Sequence, residues 1–267
     1  MNFKLAFYGK NGKQHYFAGM EESFSGPYDL MYCPGWLGPA MLLVLFLCVI
    51  KRKLTPGAAF TAFLLGLIVV EGTSFTGAFL LIAFFMMGVL ASRFGKKVKR
   101  NVTAGQPHSE ERNIAQVLAN GGITGICSIL AIVDPAHSGL FVLLIAGSLA
   151  SASADTVASE LGTVLGKRFV NVQNFRKEER GLDGVISLEG TLAGFAAAAV
   201  IAVIYSAMQG FSADAIYIVL AGVAGNYIDS LLGATFQRRG RLSNNEVNAC
   251  NTLAGALAAL ALKLIFG

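Results

Sequence analysis

The chain has 267 residues, of which 54% are apolar and only 14% charged, against about 25% charged in an ordinary soluble domain. That deficit excludes a conventional water-soluble globule. The formal charge of +5 does not point to nucleic acid, because the basic residues stand directly beside apolar runs, where positive charge orients helices in a membrane.

Taken in chain order, residues 1–35 form an amino-terminal tail. Residues 1–29 lack a positive start followed directly by an apolar run, so no cleavable signal is expected. Tyr32 and Trp36 read as interfacial anchors. Residues 36–267 are expected to form one membrane-embedded, all-α domain, a polytopic transmembrane helix bundle of about eight spans. A helix needs about 20 residues to cross the hydrocarbon, and lipid offers the backbone no partners, so the spans must be helical. The predicted spans are Leu30–Ile50, Gly57–Val70, Phe75–Ala91, Ala115–Val133, Leu140–Leu165, Gly184–Met208, Ala215–Phe236 and Val247–Phe266. The second and third are short, which suits local bilayer thinning or packing inside the bundle.

The loops between these spans alternate in charge. Lys51–Lys53, the cluster from Arg93 to Arg112, the cluster from Lys167 to Arg180, and Arg238, Arg239 and Arg241 hold most of the lysines and arginines. The intervening loops 72–74, 134–139 and 209–214 hold none. The positive-inside rule places the basic loops in the cytoplasm and both termini on the outer face. Lys4, Lys10 and Lys13 run against this, from 17 or more residues before the first span.

Cys33, Cys48, Cys127 and Cys250 are isolated, with no Cys-x-x-Cys spacing, so neither a zinc site nor a disulfide framework is expected. His15, His108 and His137 fall in the tail or in loops, and no catalytic imidazole is expected.

Ionisable and amide side chains within spans are functional candidates, since burying them in a membrane is costly. The fourth span opens with Arg112 and carries Asn113, Gln116 and Asn120 on one helical face. The fifth ends with Asp155, Ser159 and Glu160, the two carboxylates lying about 140° apart around a regular helix. The sixth is entered through Gly181, Asp183 and Gly184, then Ser187, Glu189, Gly190 and Thr191, where glycines and a helix start could receive an anion. The seventh aligns Asp229, Gly233 and Gln237, with Asn226 and Ser230 beside them; the eighth opens with Asn244, Asn245, Asn248 and Asn251. Interhelical hydrogen bonding explains any one amide stripe. All five segments, however, place polar groups at one membrane depth on the basic side. Oxygen ligands beside bases suit a magnesium-bound polyphosphate. Asp155-Thr156 and Asp229-Ser230, each followed by a basic pair, also hint at two parallel, related helices.

At LTPGAAFTAFLLG from Leu54, RNIAQVLANGG from Arg112, ASADTVASELG from Ala152, GLDGVISLEGTLAG from Gly181, IDSLLGATFQ from Ile228 and LSNNEVN from Leu242, the chain resembles the integral membrane family that includes plant phytyl-phosphate kinase and animal transmembrane protein 19. The resemblance runs from about Leu37 to Gly267 and leaves residues 1–35 outside it. It implies an isoprenyl-phosphate kinase-like enzyme that transfers a phosphoryl group from a nucleoside triphosphate, CTP by implication, to an isoprenyl monophosphate such as phytyl phosphate. Asp155, Glu160 and Asp229 are then the expected catalytic and Mg2+-binding carboxylates. Arg112, Lys167 and Arg168 would neutralise phosphate, and Asn113, Gln116, Asn120, Ser187, Thr191, Asn244, Asn245 and Asn248 would orient substrate or nucleotide. The expected partners are the lipid monophosphate and the bilayer, with no nucleic acid. A CTP-dependent lipid cytidylyltransferase and a membrane transporter without chemistry are the alternatives.

Overall fold

The structure is a computed structural model that describes residues 37–96, 98–99 and 111–267. Cys33, the anchors Tyr32 and Trp36, the tail lysines, His15, His108, Lys97 and Arg100 lie outside the described residues, as does the tail boundary at residue 35.

The described chain is almost wholly helical. It runs α1 (Leu37–Ile50), α2 (Pro56–Arg93), α3 (Ile114–Val133), a 3-10 turn (Pro135–His137), α4 (Ser138–Leu165), strands β1 (Val170–Asn171) and β2 (Val185–Ile186), α5 (Leu188–Gln209), α6 (Asp214–Leu232) continuing as a π-helical turn (Gly233–Gln237), and α7 (Asn244–Phe266). Six of these helical segments are long and apolar enough to span a bilayer, and α1 is a shorter apolar helix of 14 residues. The expected number of eight is therefore corrected. The second and third predicted spans fall in the two arms of the single kinked helix α2, and part of the first lies before the described residues.

Helix α2 is nevertheless not one straight rod. Ser74 sits at φ 53°, ψ −141° and breaks it, in a region that non-glycine residues rarely adopt. A Cβ placed on Gly77 would lie 2.6 Å from Val69 Cγ1. Eight residues apart in a straight helix are about 12 Å apart, so the arms 56–73 and 75–93 fold back on each other. Leu54, Ala58 and Ala59 accordingly pack with Phe85 of the second arm. Each arm, at roughly 18 residues and about 27 Å, has close to the length of one crossing.

The helix starts follow local chemistry. Thr55, Asn113, Ser187 and Ser243 cap α2, α3, α5 and α7 through their side chains, with Pro56 following the first of these caps. Asn113 with Gln116 and Ser243 with Glu246 form reciprocal capping boxes.

Helix α4 is the axis of the bundle. Leu143, Ile145, Ala146, Leu149, Ala150, Ala152 and Ala154 are at most 1% exposed, and α2, α3, α5, α6 and α7 all pack on this helix. The helices approach closely because the contact residues are small. Gly147 meets the Gly255 carbonyl of α7, Gly222 of α6 meets Ala150, and Gly162 meets the Cα of Gly190 on α5. Outer faces carry exposed residues such as Phe46, Phe60, Ile82, Val203 and Leu257, as expected for surfaces solvated by lipid.

The basic loops share one end of this bundle and are tied together there. Backbone bonds join Thr55 N–H to Arg112 O and Arg112 N–H to Lys53 O, both at 3.0 Å. Lys99 Nζ bonds Glu160 on α4 at 2.6 Å, and Arg238 bonds Glu178 at 2.7 Å. The other end is closed by Lys263 of α7, which bonds Asp214 of α6 at 3.0 Å.

Candidate functional site

At the basic end a cavity of about 220 Å³ opens among α4, α5, α6 and α7 beneath the 166–187 loop. Its walls come from Asp155, Ser159 and Thr163 of α4, from Ser187 and Thr191 at the start of α5, and from Asn226, Asp229 and Ser230 of α6. Gln237 of the π-helical turn and Asn244 and Asn248 of α7 complete the polar lining.

The loop above it is more ordered than a connection between spans requires. β1 and β2 pair antiparallel, Val170 opposite Ile186, and Asn171 Nδ2 bonds Glu178 at 2.9 Å. Arg238 locks this loop to α6: its Nε bonds the Asp183 carbonyl at 2.6 Å while its Nη2 holds Glu178. These bonds, from Arg238 first and then Asn171, hold the Glu178 carboxyl below the usual glutamate range. Partial burial raises the Asp183 carboxyl against the opposing pull of Arg238. Gly184 has φ +69°, and a Cβ there would come within 2.5 Å of both Ala234 N and Ser230 O. Only glycine combines that conformation with that approach, so Asp183 and Gly184 sit directly on the π-helical turn. Such turns recur at functional sites.

Asp155 and Asp229 face each other in the interior of the cavity, each in interaction range of the other. Asp229 Oδ2 is buried and makes no hydrogen bond to any described residue. An unsatisfied carboxylate oxygen is costly in so dry a place. No lysine or arginine lines the cavity among the described residues, so its ionisable lining is acidic, from Asp155, Asp183 and Asp229.

Of the residues singled out by sequence, Asp155, Asp229, Ser187, Thr191, Asn244 and Asn248 are brought together in this lining. Glu160 is not. Both of its oxygens are taken, by Lys99 Nζ at 2.6 Å and Ser92 Oγ at 2.8 Å, in keeping with its 140° offset from Asp155. Among the described residues no three His, Cys, Asp or Glu side chains converge as metal ligands, so the expected three-carboxylate set reduces to a pair. Arg112 is also outside the lining: its guanidinium lies 5.9 Å from the centre of the Phe85 ring and beside Gly88. Burial lowers its pKa, with the charge of Glu160 opposing the shift.

Asn113 and Gln116 are engaged in the capping box of α3, and Asn120 Nδ2 bonds the Gln116 carbonyl at 3.0 Å. Lys167 and Arg168 are exposed just before Phe169, which does line the cavity. Asn245 lies in the first turn of α7, outside the lining. Sequence reasoning gave no role to Thr163 or Phe169 and no site assignment to Ser159, Asp183, Asn226, Ser230 or Gln237. Asn226 and Gln237 share the face of Asp229, and that periodicity was the available signal for them; Ser230, the next residue along, lies about 100° away.

A bundle of lipid-exposed helices around a buried acidic pair defines a multi-pass integral membrane protein with a polar cavity at one end. The chain belongs to the integral membrane protein family DUF92, which matches residues 39–256. It is 34% identical over 222 residues to an uncharacterized membrane protein of Methanocaldococcus jannaschii, covering 80% of this chain and 90% of that one. It is 31% identical over 229 residues to an uncharacterized membrane protein of Synechocystis, covering 84% and 88%. With the chloroplastic protein VTE6 of Arabidopsis thaliana it shares 29% identity over 230 residues, covering 84% and 69%. No solved structure matches it.

Proposed function

We propose that this chain is an isoprenyl-phosphate kinase-like membrane enzyme, transferring the terminal phosphoryl group of a nucleoside triphosphate, CTP by family resemblance, to an isoprenyl monophosphate. The observation that carries this reading is the Asp155–Asp229 pair, with an orphaned carboxylate oxygen, in a hydroxyl- and amide-lined cavity at the basic end of a membrane bundle.

The donor set fits magnesium, a hard cation that takes oxygen ligands and is held by one or two carboxylates plus phosphate oxygens. Asp155 and Asp229 would hold it, and bound there it would neutralise charge on the phosphates. An anionic polyphosphate would otherwise meet an acidic lining, and a bound cation would relieve that conflict. Lys167 and Arg168, exposed beside Phe169, would draw the nucleotide to the mouth by long-range attraction. Ser187, Thr191, Asn244 and Asn248 would orient its phosphates and sugar. The lipid tail would lie along the exposed apolar side of α5, where Leu188 and Leu192 are 70% and 58% exposed next to Ser187 and Thr191.

In the transfer, an oxygen of the lipid monophosphate attacks the γ-phosphorus. A new P–O bond forms, the bond from that phosphorus to the β,γ-bridging oxygen breaks, and the nucleoside diphosphate leaves. A phosphate monoester with a second pKa of about 6 is already largely ionised at neutral pH, so the step needs no imidazole base. The basic end would face the cytoplasm or its equivalent compartment.

The test is an assay of the purified protein with phytyl or geranylgeranyl monophosphate, comparing CTP, UTP, ATP and GTP with and without magnesium. The expected products are a prenyl diphosphate and a nucleoside diphosphate, with turnover falling by at least ~10²-fold in Asp155→Asn or Asp229→Asn. A CDP-lipid with released pyrophosphate would make the protein a cytidylyltransferase. Substrate movement into proteoliposomes without nucleotide turnover would make it a transporter.

A further inference from the structure

One helical turn below the acidic pair lies a second, wholly buried polar layer. Ser151 precedes Asp155 by four residues on α4, and Gly225 precedes Asp229 by four on α6, so each stands directly beneath its aspartate. Asn251 supplies the third member from α7, three residues below the cavity-lining Asn248. Ser151 and Asn251 are both 0% exposed.

These three helices converge there with no space to spare. Ser151 Oγ bonds Asn251 Oδ1 and also the Asn251 carbonyl oxygen, the latter at 3.1 Å. A Cβ on Gly225 would collide with Ser151 Oγ and come within 2.9 Å of Asn251 Oδ1. The amide is therefore clamped on its oxygen side. Its Nδ2 is buried without a hydrogen-bond partner among the described residues, and so is Asp229 Oδ2; the two side chains lie within interaction range of each other. A carboxylate only accepts hydrogen bonds, which fixes the amide orientation: oxygen toward Ser151, NH2 toward Asp229.

We infer that Asn251, held by Ser151, is the positioning residue that presents the Asp229 carboxylate to a divalent cation in the cavity. Asn251 does not touch the cation; it fixes the rotamer of the carboxylate that does. Groups that orient a metal-binding side chain in this way change metal affinity 10–100-fold when removed. The inference rests on the reading of Asp155 and Asp229 as the cation-holding pair, and the experiment separates the two.

The full-length protein in detergent is titrated with Mn2+ alone, followed by electron paramagnetic resonance, together with the metal-free thermal midpoint. Asn251→Leu keeps the side-chain size and leaves Ser151 its bond to the carbonyl of residue 251. We expect saturable binding in the wild type, loss of it in Asp229→Asn, and a Kd raised ~10–100-fold in Asn251→Leu. Ser151→Ala, which unclamps the amide, should raise Kd by a smaller factor, and it decides the matter if Asn251→Leu does not fold. A wild-type Kd in both folded variants, or in Ser151→Ala when Asn251→Leu does not fold, with binding lost in Asp229→Asn, would overturn the role of Asn251 and leave the acidic pair standing. No saturable Mn2+ binding in the wild type would overturn the pair and Asn251 together.

Discussion

Replacing Gly190 with alanine places a methyl group where α4 and α5 cross. That Cβ would lie 2.7 Å from the Ala158 carbonyl oxygen, 3.0 Å from Gly162 Cα and 3.1 Å from Ser187 Oγ. The first two contacts are backbone and cannot rotate away, so the helices must separate by about 0.5 Å or more to restore van der Waals distance. Alanine in place of glycine favours the helix by about 1 kcal/mol, whereas overpacking typically costs about 1–3 kcal/mol. The clash should win, with a net loss of up to ~2 kcal/mol. Gly122 of α3 is the matched control, because a Cβ there meets nothing within 4 Å. Gly122→Ala should be neutral or stabilising by up to ~1 kcal/mol. Both are measured by thermal unfolding in detergent. Gly190, Gly162 and Ala158 also line the cavity, and a shift approaching 1 Å can cost ~10²-fold in rate. Gly190→Ala should therefore lose turnover well beyond its change in stability. A Gly190→Ala protein as stable and as active as Gly122→Ala would refute the idea that direct backbone contact at this crossing shapes the site.

Glu160→Gln should lower the thermal midpoint by breaking the bond to Lys99, yet change Mn2+ affinity by less than about twofold, since Asp229 and Asp155 remain. Loss of the metal with an unaltered midpoint would return Glu160 to the cation site. Glu178 is held below its ordinary value of 4.5 by Arg238 and Asn171. A lowered carboxylate pKa stabilises the fold above 4.5, and that contribution fades as pH falls through the folded value. The midpoint gap between wild type and Glu178→Gln should thus be constant from pH 7 to about 5 and close in stronger acid; a gap that widens there would contradict the assignment. Finally, single cysteines replacing Arg176 and Arg239 in a cysteine-free background should react from the same face of sealed vesicles, and a cysteine at His137 from the other. Reaction of the Arg176 and Arg239 positions from opposite faces would dismantle the arrangement of the basic end.

Several features were legible without coordinates because their causes are local. Lys51–Lys53, Lys167–Arg180 and Arg238–Arg241 mark one end of the bundle because charge cannot enter hydrocarbon wherever the helices pack. Asn113, Ser187 and Ser243 announce helix starts because a cap needs only its own next turn. The polar stripes containing Asp229 and Asn248 follow from helical periodicity alone. The break at Ser74 was legible as a position, within the loop 72–74 expected between the second and third spans, but not as a geometry, since nothing in that residue type demands a positive φ; what accompanies it is packing of the two arms through Gly77. The small β-ribbon over the cavity was not legible, because its two-residue strands are below any sequence period.

The amino-acid sequence by itself determined that this is a helical membrane protein with its polar chemistry gathered at one end, because hydrophobicity, charge and periodicity act residue by residue. Tertiary structure alone decided which carboxylates meet. Asp155 and Glu160 are five residues apart on one helix, yet one faces Asp229 in the bundle interior and the other turns to Lys99. That choice depends on the rotation of α4 against its neighbours, set by glycines that let particular faces touch, and a rotation between helices has no signature along a single chain.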